Sequence, residues 1–169
     1  MDEVHFQQYG SRCRMWIPPE ENDPVLLHHP TRKSVGYFGA VRLRDGKFLA
    51  AREPEQFDAQ TTWGFLRRLH QVSGRAGRQV ILIIDNAKYH HANLHREWRL
   101  AQEPDFHLAY LPPYSPDLNP IERVWKLARR LCLHNRYFPR LELVTGAVEA
   151  QFRRWAQESS ALKKLCAVA

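Results

Sequence analysis

The chain has 169 residues, 44% apolar and 25% charged, with five Trp, eight Phe and six Tyr, a composition that excludes disorder and fits one domain burying roughly 70% of its unfolded surface. Its 25 Lys and Arg against 18 Asp and Glu leave a net charge of +7, which favours a polyanionic partner, nucleic acid foremost, with a merely basic enzyme as the alternative. Cys13, Cys132 and Cys166 form no CxxC pair, the amino terminus lacks a signal-peptide layout and no apolar run reaches membrane length, so a disulfide scaffold, a zinc site and a membrane span are excluded and a cytoplasmic location is expected.

In chain order, the proline-rich stretch from Trp16 to Pro30 predicts an extended loop or edge excursion. Runs at Val35 to Arg44 and Lys47 to Glu53 flank Asp45-Gly46, the strongest two-residue signal for a β-hairpin. From Ala59 to Val72, apolar Trp63, Phe65, Leu66, Leu69 and Val72 recur at helical spacing behind Asp58 as N-cap. Gln79 to Ile84 is a continuous apolar run that predicts a strand buried on both faces and ending at Asp85.

A helix over Ala92 to Gln102 and a second buried strand over Phe106 to Leu111 follow, so the order alternates β, α, β. Pro112 to Asn119 holds three prolines and is expected to be irregular but rigid. Asn119 as N-cap, Pro120 at the first helical position and Glu122 just inside open a helix to about Leu133, with Ile121, Val124, Trp125, Ala128 and Leu131 or Cys132 as its apolar stripe. The last expected helix runs from about Leu141 to Gln157, with Val144, Val148, Phe152 and Trp155 inward.

Three acidic residues stand where local structure fixes them: Asp2 beside the first strand, Asp85 at a strand's carboxyl end and Glu122 in a helix's first turn. In an open α/β fold such positions converge, and hard cations such as Mg²⁺ take a few carboxylates and leave other positions to water and phosphate. Two ions about 4 Å apart would serve an in-line phosphoryl transfer. Each residue also has a plain alternative: a solvated terminus for Asp2, a turn for Asp85 and a helix cap for Glu122.

The segments IDNAKYHH (Ile84 to His91) and YLPPYSPDLNPIERVWKLARR (Tyr110 to Arg130) closely resemble the DDE domain of mariner-like transposases, in their bacterial insertion-sequence branch. DEVHFQ (Asp2 to Gln7), FGAV (Phe38 to Val41) and LHNRYFP (Leu133 to Pro139) are similar to the same family, so the resemblance covers nearly the whole chain in order. It implies a ribonuclease-H-like α/β fold, a mixed sheet of about five strands flanked by helices. It implies that Asp2, Asp85 and Glu122 are the catalytic carboxylates and the ligands of two Mg²⁺ or Mn²⁺ ions, with Glu3 pointing away from the Asp2 face. The 36 residues between Asp85 and Glu122 lie close to the family's spacing.

Asn86, Lys88 and His90 in the first segment and Tyr114, Ser115, Arg123, Lys126 and Arg130 in the second are then candidates for contact with DNA, with Arg129 beside them. Loop-shaping hydrogen bonds for Asn86 and His90, turn closure for Tyr114 and Ser115, and a solvated helix face for the basic residues are the alternatives. The expected partners are double-stranded DNA, a second copy of the chain, and a helix-turn-helix region or separate polypeptide upstream. The chain begins one residue before Asp2, so residues 1–169 are expected to form a single catalytic domain whose first strand is shortened, as in a truncated product or half of a split reading frame. The competing readings are an active strand transferase, an inactive DNA-binding or oligomerisation fragment, and a ribonuclease acting on RNA.

Overall fold

The computed structural model describes residues 1–14, 16–20, 25, 27, 30–53, 56–74, 77–113 and 115–167. Strands β1 (Asp2–Gln7), β2 (Ser34–Val41) and β3 (Phe48–Glu53) form an antiparallel ladder in that order, and β4 (Val80–Ile84) pairs in parallel with β5 (Phe106–Tyr110). The helices are α1 (Ala59–Ser73), α2 (Arg96–Gln102), α3 (Ile121–Cys132), α4 (Leu141–Trp155) and α5 (Ser160–Leu165). The Met1 ammonium donates to the Ile83 carbonyl at 2.7 Å, which links the head of β1 to β4 across the two ladders. The five strands and flanking helices expected from the sequence are present.

Strand alternation sorts the side chains into two cores. On one face, Val4, Phe6, Tyr37 and Phe48 pack on Val124 and Trp125 of α3 and on Val148, Phe152 and Trp155 of α4. On the other, Phe38 and Ala40 join Phe65, Leu66 and Leu69 of α1 and Leu82, Ile84 and Phe106 of the parallel pair. The β2 residues Val35 to Ala40 are all buried, with helices over both faces and strands on both edges from Gly36 to Gly39. The inward set expected for α4, Val144, Val148, Phe152 and Trp155, is buried as a group.

Local signals set several boundaries. Asp58 caps α1 through the Thr61 amide at 2.9 Å, and Thr61 Oγ1 accepts from the Asp58 amide at 3.0 Å, a reciprocal cap typically worth about 1 kcal/mol. The β2–β3 hairpin forms, but residues 42–47 connect it rather than a two-residue turn. Asp45 accepts from Arg42 Nε at 2.9 Å, and Gly46, at φ +73°, packs where a Cβ would meet the Ser159 carbonyl. Ser159 in turn caps α5, a helix the sequence pattern did not announce, at the Leu162 amide.

Other expectations need correction. Val72 and Ile81 are 59% and 61% exposed, so neither α1 nor β4 is covered along its whole apolar face. The helix expected from Ala92 opens as a 3₁₀ turn, Asn93–His95, after another at Lys88–His91, and becomes α-helical only at Arg96; the two turns are tied by His95 Nε2, 3.0 Å from the Tyr89 carbonyl. In β5 only Phe106 is buried. The proline segment contains one 3₁₀ turn, Pro116–Leu118, although irregular structure is expected there, since Pro is well accommodated in the first turn of a helix. Cys132, not Leu131, completes the α3 stripe. Residues described between Trp16 and Pro30 carry no strand or helix, and the remainder of that expected loop lies outside the described residues. The three cysteines are free, and no helix among the described residues is long and apolar enough to cross a membrane.

Candidate active site

The site is organised around the head of β1. Met1 is held on one side by Ile83, two residues before Asp85, and on the other by Asn119 Nδ2, which donates to the Met1 carbonyl at 3.3 Å from three residues before Glu122. One strand terminus therefore ties together the three segments that carry Asp2, Asp85 and Glu122. This corrects the sequence reading of Asn119, whose side chain does not cap α3. The helix has no side-chain cap, and buried Asn119 offers the Glu122 amide only its backbone carbonyl, at 3.1 Å. The amide is drawn across to β1 instead.

Asp2 shares the face of Val4 and Phe6, toward α3, where Trp125 Nε1 donates to its Oδ2 at 3.0 Å. Burial, then the adjacent Glu3 charge, push the Asp2 carboxyl up to about 7, with Glu122 adding to the repulsion. Trp125 lies three residues after Glu122, so both project from the same side of α3.

Glu3 points to the opposite face, as strand alternation requires, yet it belongs to the same cluster. Its Oε2 accepts from the Tyr89 hydroxyl at 3.1 Å and its Oε1 lies 3.1 Å from His90 Nε2. The other ring nitrogen of His90, Nδ1, lies 2.7 Å from Asp85 Oδ1. Burial pulls the His90 pKa down, but hydrogen bonds to Asp85 and Glu3 and their charges outweigh it and raise it to about 9. The same bond to His90 holds the Asp85 carboxyl below its ordinary range. Glu3, Asp85 and His90 are the described side chains of metal-ligating type whose donor atoms come within 4.8 Å of one another. Because His90 is hydrogen-bonded through both nitrogens, this trio is a carboxylate–imidazolium–carboxylate bridge rather than an ion cage.

The Asp2, Asp85 and Glu122 set is more open. One oxygen of Asp2 is taken by Trp125 and one of Asp85 by His90, which leaves Asp2 Oδ1 and Asp85 Oδ2 free of those bonds. Among the described residues, neither Asp2 nor Glu122 forms an ion pair with Lys, Arg or His. Oxygen donors, crowded negative charge and an open geometry fit a hard divalent cation that keeps several waters.

The residues expected to meet DNA separate into groups. His90 is wholly buried, which corrects its assignment as a DNA contact: its ring is sealed between Asp85 and Glu3. Asn86 is exposed with Oδ1 2.5 Å from His91 Nε2, and Lys88 is exposed. Ser115 closes a turn on the Pro113 carbonyl at 3.3 Å, and Tyr114 lies outside the described residues. Arg123 donates to the Leu165 and Ala167 carbonyls, each at 3.1 Å, and so caps α5. Lys126 and Arg130 are exposed on α3, while Arg129 lies over the Phe6 ring at 5.7 Å. The cluster not read from the sequence is Glu3 with Tyr89 around His90; the adjacent acidic pair Asp2-Glu3 was its one visible sign.

The family described as DDE superfamily endonuclease matches residues 1–145. The chain is 35% identical over 101 residues to the uncharacterized protein y4pE/y4sA of Sinorhizobium fredii (strain NBRC 101917 / NGR234), covering 60% of this chain and 70% of that protein. Over 61 residues it is 38% identical to the insertion element IS630 uncharacterized 39 kDa protein of Shigella sonnei, 36% of this chain and 17% of that one. Among solved structures it superposes on the Mos1 mariner paired end complex with Mn at a TM-score of 0.67 and 19% identity, covering 98% of this chain and 50% of that chain. For the Mos1 strand transfer complex the values are 0.66 and 19%, over 97% and 48%. The chain thus spans about half the length of these solved chains and shares their ribonuclease-H-like fold. With the family pattern running from Met1 through α3 into α4, the chain belongs to the DDE superfamily of endonucleases.

Proposed function

We propose that this chain is the catalytic domain of a DNA transposase, in which Asp2, Asp85 and Glu122 hold divalent cations, Mg²⁺ or Mn²⁺, for cleavage of DNA strands and transfer of the freed ends. The observation that carries this reading is the joint anchoring of the three carboxylate segments at Met1, by Ile83 and Asn119, with no basic partner on Asp2 or Glu122 among the described residues. It is supported by the family membership and by the Mos1 complexes, which contain Mn in one case and Mg in another. Two bound cations supply the charge that activates an attacking oxygen and stabilises a leaving one in an in-line displacement at phosphorus. The protein's own tasks are then positional: Trp125 fixes one oxygen of Asp2, His90 fixes one oxygen of Asp85, and α3 presents Glu122 from its first turn.

Double-stranded DNA is the substrate in this reading, and exposed Lys88, Lys126 and Arg130 supply phosphate contacts whose strength falls with salt. Assembly of two copies, and a separate recognition region that reads the element's ends, complete the proposal. The test is nicking of supercoiled plasmid by purified protein in Mg²⁺ or Mn²⁺, beside Asp85→Ala and a chelator control. Nicking abolished by both supports the assignment. A folded protein that binds DNA without nicking it, or nicking that persists in chelator, overturns it.

A further inference from the structure

Past the carboxylates, β1 and α3 run on side by side. Trp125 meets Asp2, and one helical turn later Arg129 lies over the ring of Phe6, 5.7 Å from its centroid. That cation–π contact occupies the face of the guanidinium and leaves its N–H groups for another partner. Among the described residues Arg129 has no ion pair, although it is half-buried. A long cationic side chain pinned in place without an anion is an unfinished arrangement.

Arg129 lines a cavity of about 670 Å³ with His5 and Gln7 of β1 and with Ser11 and Arg12 of the loop that follows. No acidic side chain lines it. The Ser11 hydroxyl is buried with no hydrogen-bond partner, a state that folded proteins rarely leave unsatisfied. The loop is fixed to the residues after α3. The Asn135 amide donates to the Ser11 carbonyl at 2.9 Å, and the Asn135 side chain pairs with the Cys13 amide and carbonyl at 3.0 and 3.1 Å. Gly10, at φ +69°, sits where a Cβ would stand 3.0 Å from the Arg136 carbonyl. The carboxyl end of α3 disfavours an anion, but the Arg129 carbonyl there already accepts from the Leu133 and His134 amides at 2.8 and 3.0 Å.

We infer that this cavity is a phosphate site that holds one phosphodiester of a DNA strand through the Arg129 guanidinium and the Ser11 hydroxyl, with Arg12 and His5 at its rim. The inference rests on the reading of the chain as one that acts on DNA. A guanidinium matches phosphate with paired donors, and the volume admits a phosphate together with its sugar. His5 and Gln7 stand three and five residues past Asp2 on β1, roughly 10 and 17 Å at about 3.3 Å per residue. Along a DNA strand that span is about three to five nucleotides. The phosphate bound here therefore flanks the reacting one, and its capture sets the line on which the strand approaches the carboxylates.

The first probe is inorganic phosphate, titrated into the full chain in chelator at constant ionic strength and read by the NMR shift of the Ser11 amide. A saturating shift is expected. It should vanish in Arg129→Met, whose apolar stem still covers Phe6, and Ser11→Ala should weaken binding roughly fivefold without lowering the thermal midpoint. The second probe is duplex DNA, also in chelator. The slope of log affinity against log salt should fall by about one in Arg129→Met, and Ser11→Ala should weaken binding in the parent chain but add nothing in the Arg129→Met background. Neither arm requires cleavage, so a chain that never nicks DNA can still bear out the site, and one that nicks can still fail it. No saturating shift in the folded protein, or a shift that persists in Arg129→Met, overturns the site. A saturating phosphate shift with an unchanged salt slope, or with additive losses in the double variant, assigns the cavity to a free anion and overturns the DNA strand as its occupant.

Discussion

The imidazole of His90 lies 2.7 Å from the carboxylate of Asp85, with its ring wholly buried. Glu3 completes the bridge from the other side at 3.1 Å. Removing the ring leaves the Glu3 carboxylate, whose side chain is 7% exposed, without its cationic partner, and frees Asp85 to change rotamer. His90→Ala is expected to lose about 3 kcal/mol in urea denaturation. His90→Gln, which retains a donor, is expected to recover part of that loss. If the proposed activity is present, nicking should fall more than tenfold in a His90→Gln protein that is still folded.

The pH dependence of the metal-free protein follows from the same cluster. His90 is raised from 6.5 to about 9, so its contribution is complete below pH 6.5 and is lost as pH rises through 9. Asp2, raised from 3.8 to about 7, makes stability fall as pH rises from about 4 to 7, because the folded state holds the proton more tightly. The Met1 ammonium, lowered by burial from 8.0 to about 6, acts oppositely between those values. Between pH 8 and 9 His90 alone of these remains, so the thermal midpoint in chelator should decline there. The decline should disappear in His90→Gln; a parallel decline in that variant would place its source elsewhere.

Trp125 both packs and donates. Its ring meets Phe6 and Phe48 edge-to-face, at 6.2 and 5.5 Å, while its indole N–H reaches Asp2. Trp125→Phe keeps an aromatic ring and deletes the donor, so a loss of about 1–2 kcal/mol is expected. The deleted bond favours the charged carboxylate, so Asp2 should titrate at still higher pH by carbon NMR of its carboxyl. An unchanged or lower titration point would show that the indole does not tune it.

Gly39 has no space for a side chain. A Cβ there would collide with the Trp125 ring and stand 3.0 Å from Phe48 Cζ. Gly39→Ala is expected to cost about 1–3 kcal/mol by overpacking and to displace Trp125 from Asp2, seen as a shifted indole N–H resonance. Gly146→Ala, at a position with open space in α4, is the matched control and should stabilise by roughly 0.5–1 kcal/mol through helix propensity.

Elements with strong local signals are legible in the amino-acid order itself. The Asp58–Thr61 cap, the α4 stripe and the Asp45-Gly46 hairpin each follow from residues within one or two turns of chain. The mariner-like motifs pick out Asp2, Asp85 and Glu122 through the resemblance of whole segments, since each residue alone has an ordinary structural explanation. The basic residues are less legible. Charge says that a side chain prefers water or an anion, not which one it meets, and in the folded chain Arg123 caps α5 while Arg129 covers Phe6.

The order of strands and helices, the period of each apolar face and the two segments around Asp85 and Glu122 are properties of the amino-acid sequence, because propensity, capping and hydrophobic spacing act over a few residues. It took the folded chain to have Asn119 hold Met1 rather than cap its helix, and to bring Glu3 and Tyr89 to Asp85 through a buried His90. Those outcomes depend on contacts between residues more than 80 positions apart in the chain, where the low dielectric of the interior and the need to satisfy buried polar groups outweigh local preference.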